Sequence, residues 1–320
     1  MKPLYPAIKT YAEHRIAVSG EHEIYVEESG NPEGIPVLFV HGGPGAGTTS
    51  DDRRFFNPEF YRIILFDQRG CGHSTPHGSI ENNSTELLIK DMEKIRQTLN
   101  VSSWVLFGGS WGSTLSLLYA EHFPQRVQAL ILRGIFLCRE EEFHWFYQKG
   151  TNLIFPDYWE EFVFPIPEEE RENMIRAYYK RLTGDDELAR MNAAKHWSQY
   201  EAQCATLHPC KQVLERFTNP HTALSMALME THYFMNQCFI RPNQILAESY
   251  KLEGIPGIIV HGRYDMICPF ENARALHKAW PGSELIVIRD AGHSAFEFGI
   301  TDALIHATDS VAKRINNSKI

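Results

Sequence analysis

Polar and apolar residues alternate near the start of the chain. His14–Val18 and Glu21–Glu27 both follow a period of two, which predicts an antiparallel hairpin. Compact apolar runs follow at Pro36–Val40, Ile63–Phe66, Trp104–Phe107 and Val127–Leu132, each bounded by glycine or turn residues. Runs of this kind, separated by helical patterns, predict a parallel sheet covered on both faces. Between two of them Leu88, Met92, Ile95 and Leu99 share one helical face, with Asn83 as the expected N-cap and Glu86 three residues on. From Cys138 to Pro242 the pattern is helical and dense in aromatics, including Trp145, Tyr147, Phe162, Trp197, Tyr200 and Tyr233, and Pro156, Pro165 and Pro167 break it into short pieces. This stretch reads as a small helical subdomain with its own core, as a cap lining a substrate pocket, or as both. The strand–helix rhythm then returns, with strands at Ile258–Val260 and Glu284–Ile288 and helices near Glu271–Trp280 and Thr301–Ile315. The expected organisation is an α/β core from residues 1–137 and 243–320 and an inserted helical cap from residues 138–242.

Composition narrows the functional classes. With 320 residues, 43% hydrophobic and 22% charged, the chain can bury a full core and is neither disordered nor fibrous. A formal charge of −9 gives no bulk attraction for nucleic acid or anionic membrane, so neither is expected as a partner. No apolar run approaches the ~20 residues of a membrane span. The first eleven residues lack the apolar segment of a secretion signal. The six cysteines form no CxxC pair and no metal spacing, which points to free thiols in a cytoplasmic protein and to no metal site. Two overlapping glycosylation patterns at Asn82 and Asn83 are read as chance in that setting.

The strongest chemical signal is Gly108-Gly109-Ser110-Trp111-Gly112, between a predicted strand and a predicted helix. Glycines there permit a sharp strand-to-helix turn that holds a serine hydroxyl at the end of the sheet. The new helix points its first amides at the place where negative charge would develop. Ser110 is therefore the candidate nucleophile, and it needs a base and an orienting acid. His293 follows the last predicted strand in Ala291-Gly292-His293-Ser294, and Asp265 follows the strand before it. Their order, Ser110, Asp265, His293, is that of hydrolases with this elbow. Asp67 and Asp290 compete for the acid role, but Asp67 precedes the serine and Asp290 is only three residues from His293. His41-Gly42-Gly43-Pro44-Gly45 follows the Pro36–Val40 strand, and the amides of Gly43 and Trp111 are the expected oxyanion donors. The loop has no Lys-Ser/Thr of a phosphate loop, and no G-x-G-x-x-G opens a helix after the first strand, so nucleotide binding is not expected.

Together His41–Gly45, Asp67-Gln68-Arg69-Gly70-Cys71-Gly72, Gly108–Ser113 and Gly262-Arg263-Tyr264-Asp265 resemble the proline iminopeptidases. These are serine peptidases of the α/β-hydrolase fold that remove an N-terminal proline. The resemblance runs from His41 to His293. It implies a helical cap whose acidic residues hold the substrate's N-terminal amine, matched here by Glu201 and Glu230. It also implies pocket aromatics at Phe136, Phe146 and Phe234, with Arg133 beside them. Cys268 would lie near the site, where a thiol reagent could inhibit without the cysteine being catalytic. Short peptides with N-terminal proline are the implied substrates, and no cofactor is implied. Two positions depart from the family pattern: His73 stands where arginine is usual, and Tyr200 where tryptophan often precedes the cap glutamate. An esterase or amidase of the same fold, and a non-catalytic binding module, remain as rivals, and the oligomeric state is left open.

Overall fold

A computed structural model describes residues 2–317, so Met1 and residues 318–320, the two ends of the expected core, lie outside the described residues. Among the described residues the eight strands are β1 (Thr10–Ala17), β2 (Glu23–Gly30), β3 (Ile35–Val40), β4 (Tyr61–Phe66), β5 (Trp104–Ser110), β6 (Val127–Ile135), β7 (Gly257–Gly262) and β8 (Ser283–Ile288). They form one sheet in the order β1-β2-β4-β3-β5-β6-β7-β8. The first two are the expected antiparallel hairpin, with His14 opposite Val26, and β2 also runs antiparallel to β4. From β4 to β8 every neighbouring pair is parallel. The chain places β4 on one side of β3 and β5 on the other, so the strand order reverses between β3 and β5. A crevice opens at the carboxyl ends of strands at such a reversal, where open α/β sheets bind ligands.

Alternate residues along the strands feed two separate cores. Val37, Ile63, Val105 and Phe107 face α11 (Phe298–Asn317). Leu38, Ile64 and Leu106 face the side covered by α1 (Thr85–Thr98) and α2 (Trp111–His122). The period of two along a strand, with both faces buried, explains why these runs read as almost continuously apolar. The apolar stripe expected on α1 is buried, but the N-cap is Ser84, not Asn83. Asn83 is used elsewhere: its amide donates to the Arg69 carbonyl at 3.2 Å, and its side-chain oxygen accepts from the Tyr233 hydroxyl at 2.8 Å. Local spacing could not reveal that tertiary demand.

Seven α-helices lie between β6 and β7, the first six being α3 (Glu140–Tyr147), α4 (Pro156–Val163), α5 (Met174–Leu182), α6 (Glu187–Cys204), α7 (Lys211–Phe217) and α8 (Pro220–Met235). A short α9 (Gln244–Glu248) leads back towards β7, and α10 (Phe270–Ala279) connects β7 to β8. The insertion is organised by stacked rings. Phe162 lies 4.4 Å from Tyr200 and 4.8 Å from Tyr178, and Tyr147 stacks on Trp197 at 4.4 Å. Such pairs add about 0.5–1.5 kcal/mol each beyond their buried area. These buried rings are continuous with the core on the α1–α2 face of the sheet. The six cysteines form no disulfide. No described helix is long and apolar enough to cross a membrane, and no cluster of potential metal ligands occurs among the described residues.

Candidate active site

β5 ends at Ser110, and α2 begins at the next residue. Ser110 has φ 56° and ψ −127°, a backbone state that costs a non-glycine residue of order 1–3 kcal/mol. The surrounding packing holds it there. A Cβ on Gly112 would come 2.0 Å from the Val40 carbonyl, so only glycine lets the start of α2 lie against the end of β3. The Ser113 hydroxyl donates to the Ser110 carbonyl at 2.7 Å and accepts from the Phe136 amide at 3.3 Å, which ties the elbow to the end of β6.

The His41–Gly45 loop crosses beside this turn. A Cβ built on Gly42 would meet that of Ser110 at 3.5 Å. Gln68 locks the two segments together. Its side-chain amide donates to the His41 carbonyl at 2.9 Å, and its side-chain oxygen accepts from the Trp111 indole at 2.9 Å. The Gln68 backbone amide also donates to His41 Nε2 at 3.0 Å. The other members of that motif are scaffold. Asp67 accepts from Thr48 and from His73, and Arg69 forks onto Asp91 at 2.6 and 2.7 Å in the interior. His73, one of the two departures from the family pattern, thus has its ring on Asp67 at 3.1 Å, which raises its pKa.

His293 and Asp265 meet. His293 Nδ1 lies 2.7 Å from Asp265 Oδ2, and both residues are buried. The other oxygen of Asp265 accepts from the amides of Ile267 at 3.1 Å and Cys268 at 2.8 Å. Burial by itself would raise the Asp265 pKa. The neighbouring His293, His261 and the Cys268 amide outweigh it and hold the carboxyl below its ordinary range, so it stays ionised. His261 sits 3.5 Å from the same carboxylate. Its Nδ1 accepts from the Ile135 amide and its Nε2 donates to the Cys268 carbonyl, and burial lowers its pKa, which keeps it neutral. Asp67, the competing acid, is occupied by Thr48 and His73, and Asp290 is exposed.

Ser110 and His293 open into a cavity of about 550 Å³. Gly43, Arg133, Phe136, Phe146, Phe234, Cys268, Glu201 and Glu230 all line it. Glu201 comes from α6 and Glu230 from α8, and both are buried. The Tyr147 hydroxyl donates to Glu201 and the Trp197 indole donates to Glu230. Burial raises both carboxyl pKa values, and for Glu230 the neighbouring Glu201 charge raises it further. Two carboxyls in one dry site cannot both ionise cheaply, so the pair retains a proton near neutrality. Arg133, at the end of β6, donates to the His293 carbonyl at 2.8 Å, and burial lowers its pKa.

Residues 35–300 match the family described as the alpha/beta hydrolase fold. A probable proline iminopeptidase of Leptolyngbya boryana is 51% identical over 321 residues, spanning 100% of this chain and 100% of that one. The proline iminopeptidase of Xylella fastidiosa strain 9a5c is 47% identical, over 97% of this chain and 99% of its own. That of Arabidopsis thaliana is 46% identical, over 97% of this chain and 82% of its own. The chain belongs to the proline iminopeptidase family. Among solved structures, an esterase from Exiguobacterium antarcticum superposes with a TM-score of 0.66 at 21% identity, covering 93% of this chain and 98% of that one. That likeness extends to the fold alone.

Within this site the sequence left several participants unnoticed. Gly134, with φ +54°, lies beside the His293 ring. The Ala205 carbonyl, just past α6, accepts from the His293 amide at 3.0 Å and the Ser294 amide at 2.8 Å, which ties the histidine loop to the insertion. Glu297 accepts from Gly292 at 2.7 Å and Leu207 at 2.8 Å across the same junction. Tyr147 and Trp197 carry no motif signal, because their role appears only when α3, α6 and α8 converge. Tyr200, the second departure, donates to the Phe146 carbonyl at 3.2 Å and so packs inside the insertion. Cys268 is almost fully buried, and burial holds its thiol well above the ordinary range.

Proposed function

We propose that this chain is an aminopeptidase that releases N-terminal proline from short peptides, with Ser110, His293 and Asp265 as its catalytic triad. The observation that carries this reading is one cavity that holds both the serine elbow and a buried carboxyl pair, Glu201 and Glu230, among aromatic rings. The curated relatives are named as proline iminopeptidases, which points to the same substrate.

In this mechanism the insertion, residues 138–242, is a cap over the catalytic core. A prolyl ring packs against Phe136, Phe146 and Phe234. Its protonated imino nitrogen reaches the Glu201–Glu230 pair, which then gives up its retained proton to balance the incoming cation. An internal peptide has no such cation and would leave the pair desolvated without compensation. Asp265 on Nδ1 fixes His293 with Nε2 free to take the Ser110 proton. Ser110 Oγ attacks the prolyl carbonyl, and the Gly43 and Trp111 amides receive the oxyanion. His293 returns the proton to the departing amine as the C–N bond breaks. Water, deprotonated by the same histidine, then hydrolyses the prolyl ester. The free thiols suit a reducing cytoplasm.

Release of proline from Pro-Ala and Pro-4-nitroanilide by wild type, with labelling of Ser110 by a fluorophosphonate, tests the reading. Ser110→Ala should lose the label and on the order of 10⁴–10⁶ of kcat while keeping its circular dichroism. Turnover near wild type in a folded Ser110→Ala protein would mean another nucleophile.

A further inference from the structure

The cavity that holds Ser110 and His293 is also lined by Asp52, Phe55, Phe296 and three residues of α7, Gln212, Val213 and Arg216. Phe55 belongs to the core on the α11 face, whereas Tyr147 and Trp197, which hold the carboxyl pair, belong to the core on the other face. The Arg216 guanidinium lies 6.0 Å above the Phe296 ring. Phe296 in turn packs on Phe55 at 5.6 Å and sits three residues after His293, so the guanidinium rests on the loop that carries the histidine. The Arg216 charge also reaches Asp52 and His41, the residue that opens the Gly42–Gly43 loop.

Arg216 has more donors than partners. Its Nη2 lies 3.8 Å from Asp52 Oδ2, an ion pair too long to be a hydrogen bond. Its guanidinium makes no hydrogen bond among the described residues. Asp52 Oδ2 already accepts from the Thr49 amide at 2.7 Å and hydroxyl at 3.1 Å, and Asp51, which lines the same cavity, pairs with Arg54 at 2.9 Å. The Arg216 side chain is 31% exposed. A planar guanidinium with five donors, held over an aromatic face beside a cavity, suits a carboxylate in forked geometry.

Substrate polarity supplies that carboxylate. With the N-terminal cation at the Glu201–Glu230 end and the scissile carbonyl at Ser110, the departing fragment points towards α7. In a dipeptide or tripeptide this fragment ends in a carboxylate close to the cleaved bond. We infer that Arg216 forms a leaving-group subsite for the C-terminal carboxylate of short peptides, so that the cavity recognises both charged ends of its substrate. This inference rests on the aminopeptidase reading above.

The test compares wild type and Arg216→Gln on Pro-Ala and Pro-Ala-Ala, each as the free acid and as the C-terminal amide. The readout is the ratio of kcat/KM for acid over amide, in which any general loss of folded enzyme cancels. Wild type should show a ratio of about ten for at least one length, as expected for charge-assisted hydrogen bonds, and Arg216→Gln should bring it close to one. A wild-type ratio near one at both lengths, or a ratio unchanged in Arg216→Gln, overturns the subsite. Pro-4-nitroanilide carries no carboxylate and separates the two readings. Wild type inert on the anilide and on all four peptides overturns the aminopeptidase reading. Turnover of the anilide with acid-to-amide ratios that Arg216→Gln does not move overturns the subsite alone.

Discussion

Gly134 faces the imidazole of His293 so closely that a Cβ at position 134 would lie 2.8 Å from Cε1 and 3.0 Å from Nδ1. The backbone there is also left-handed, with φ +54°. One residue past Arg133, the chain thus makes the room in which the histidine sits against Asp265. Gly134→Ala should push the ring off its Asp265 partner and add local backbone strain of order 1–3 kcal/mol. A misplacement of about 1 Å costs roughly 10²-fold in rate. The expected result is a kcat drop of that size with a modest loss of thermal stability, read by steady-state kinetics beside a melting curve. Unchanged kcat would mean that the ring tolerates displacement.

In the proposed mechanism the carboxyl pair acts on positioning. Glu201→Gln or Glu230→Gln keeps the shape of the site but removes a charge that faces a cation in a dry pocket. A hydrogen bond to a charged group is worth roughly 1.5–3 kcal/mol, so kcat/KM for Pro-amides should fall by about 10–150-fold. Small neutral esters carry no amine and should lose far less. The measurement is the ratio of Pro-amide to ester turnover in each variant, and an unchanged ratio in both would make the pair ordinary buried polar groups.

The same pair sets a pH dependence of binding. Burial raises both carboxyl pKa values, so the proton that the pair retains is lost only as pH rises through that raised range. The deprotonated pair is the form that attracts a cation. Pyrrolidine stays a cation from pH 6 to 8, so its competitive inhibition constant should fall as pH rises across that window. In Glu201→Gln the slope should flatten. A constant that does not change with pH in wild type would mean the pair is already fully ionised at pH 6.

Glu121 on α2 is a stability liability away from the site. It is 3% exposed, and neither carboxyl oxygen has a hydrogen-bond partner among the described residues. Burial, with a smaller contribution from Glu248, raises its pKa to about 8. A raised carboxyl pKa means that the folded state binds more protons than the unfolded chain between roughly pH 4.3 and that value. Stability is therefore fullest below that window and declines as pH rises through it. Glu121→Gln mimics the protonated form and does not titrate. Its melting temperature should exceed that of wild type by a margin that grows from pH 5 to pH 8. A margin independent of pH would place the effect in packing instead of ionisation.

How much of this was legible before the fold depends on how local each cause is. The elbow could be read because a sharp strand-to-helix turn makes its demands within five residues, Gly108–Gly112, and glycine is the residue that meets them. The strands could be read because burial on two faces leaves a continuous apolar run. The chain order Ser110, Asp265, His293 favoured Asp265 over Asp67 as the expected acid, and in the structure His293 Nδ1 lies 2.7 Å from Asp265 Oδ2. Asn83 shows where local reasoning stops: its spacing before α1 suits a cap, yet Arg69 and Tyr233 claim its side chain, and Ser84 stands at the helix end.

By itself, then, the sequence determined the sheet, the serine turn, the order of the candidate triad and a helical insertion rich in aromatics. These follow from periodicity and from steric rules that act over a few residues. Only the tertiary structure decided that Glu201 and Glu230 share one dry site, that Gly134 makes room for His293, that the Ala205 carbonyl anchors the histidine loop, and that Arg216 faces the cavity with its donors unused. Each of those depends on segments far apart in the chain meeting at one point, and on burial removing the water that would otherwise satisfy their charges. Neither condition leaves a mark in the spacing of residues along the chain.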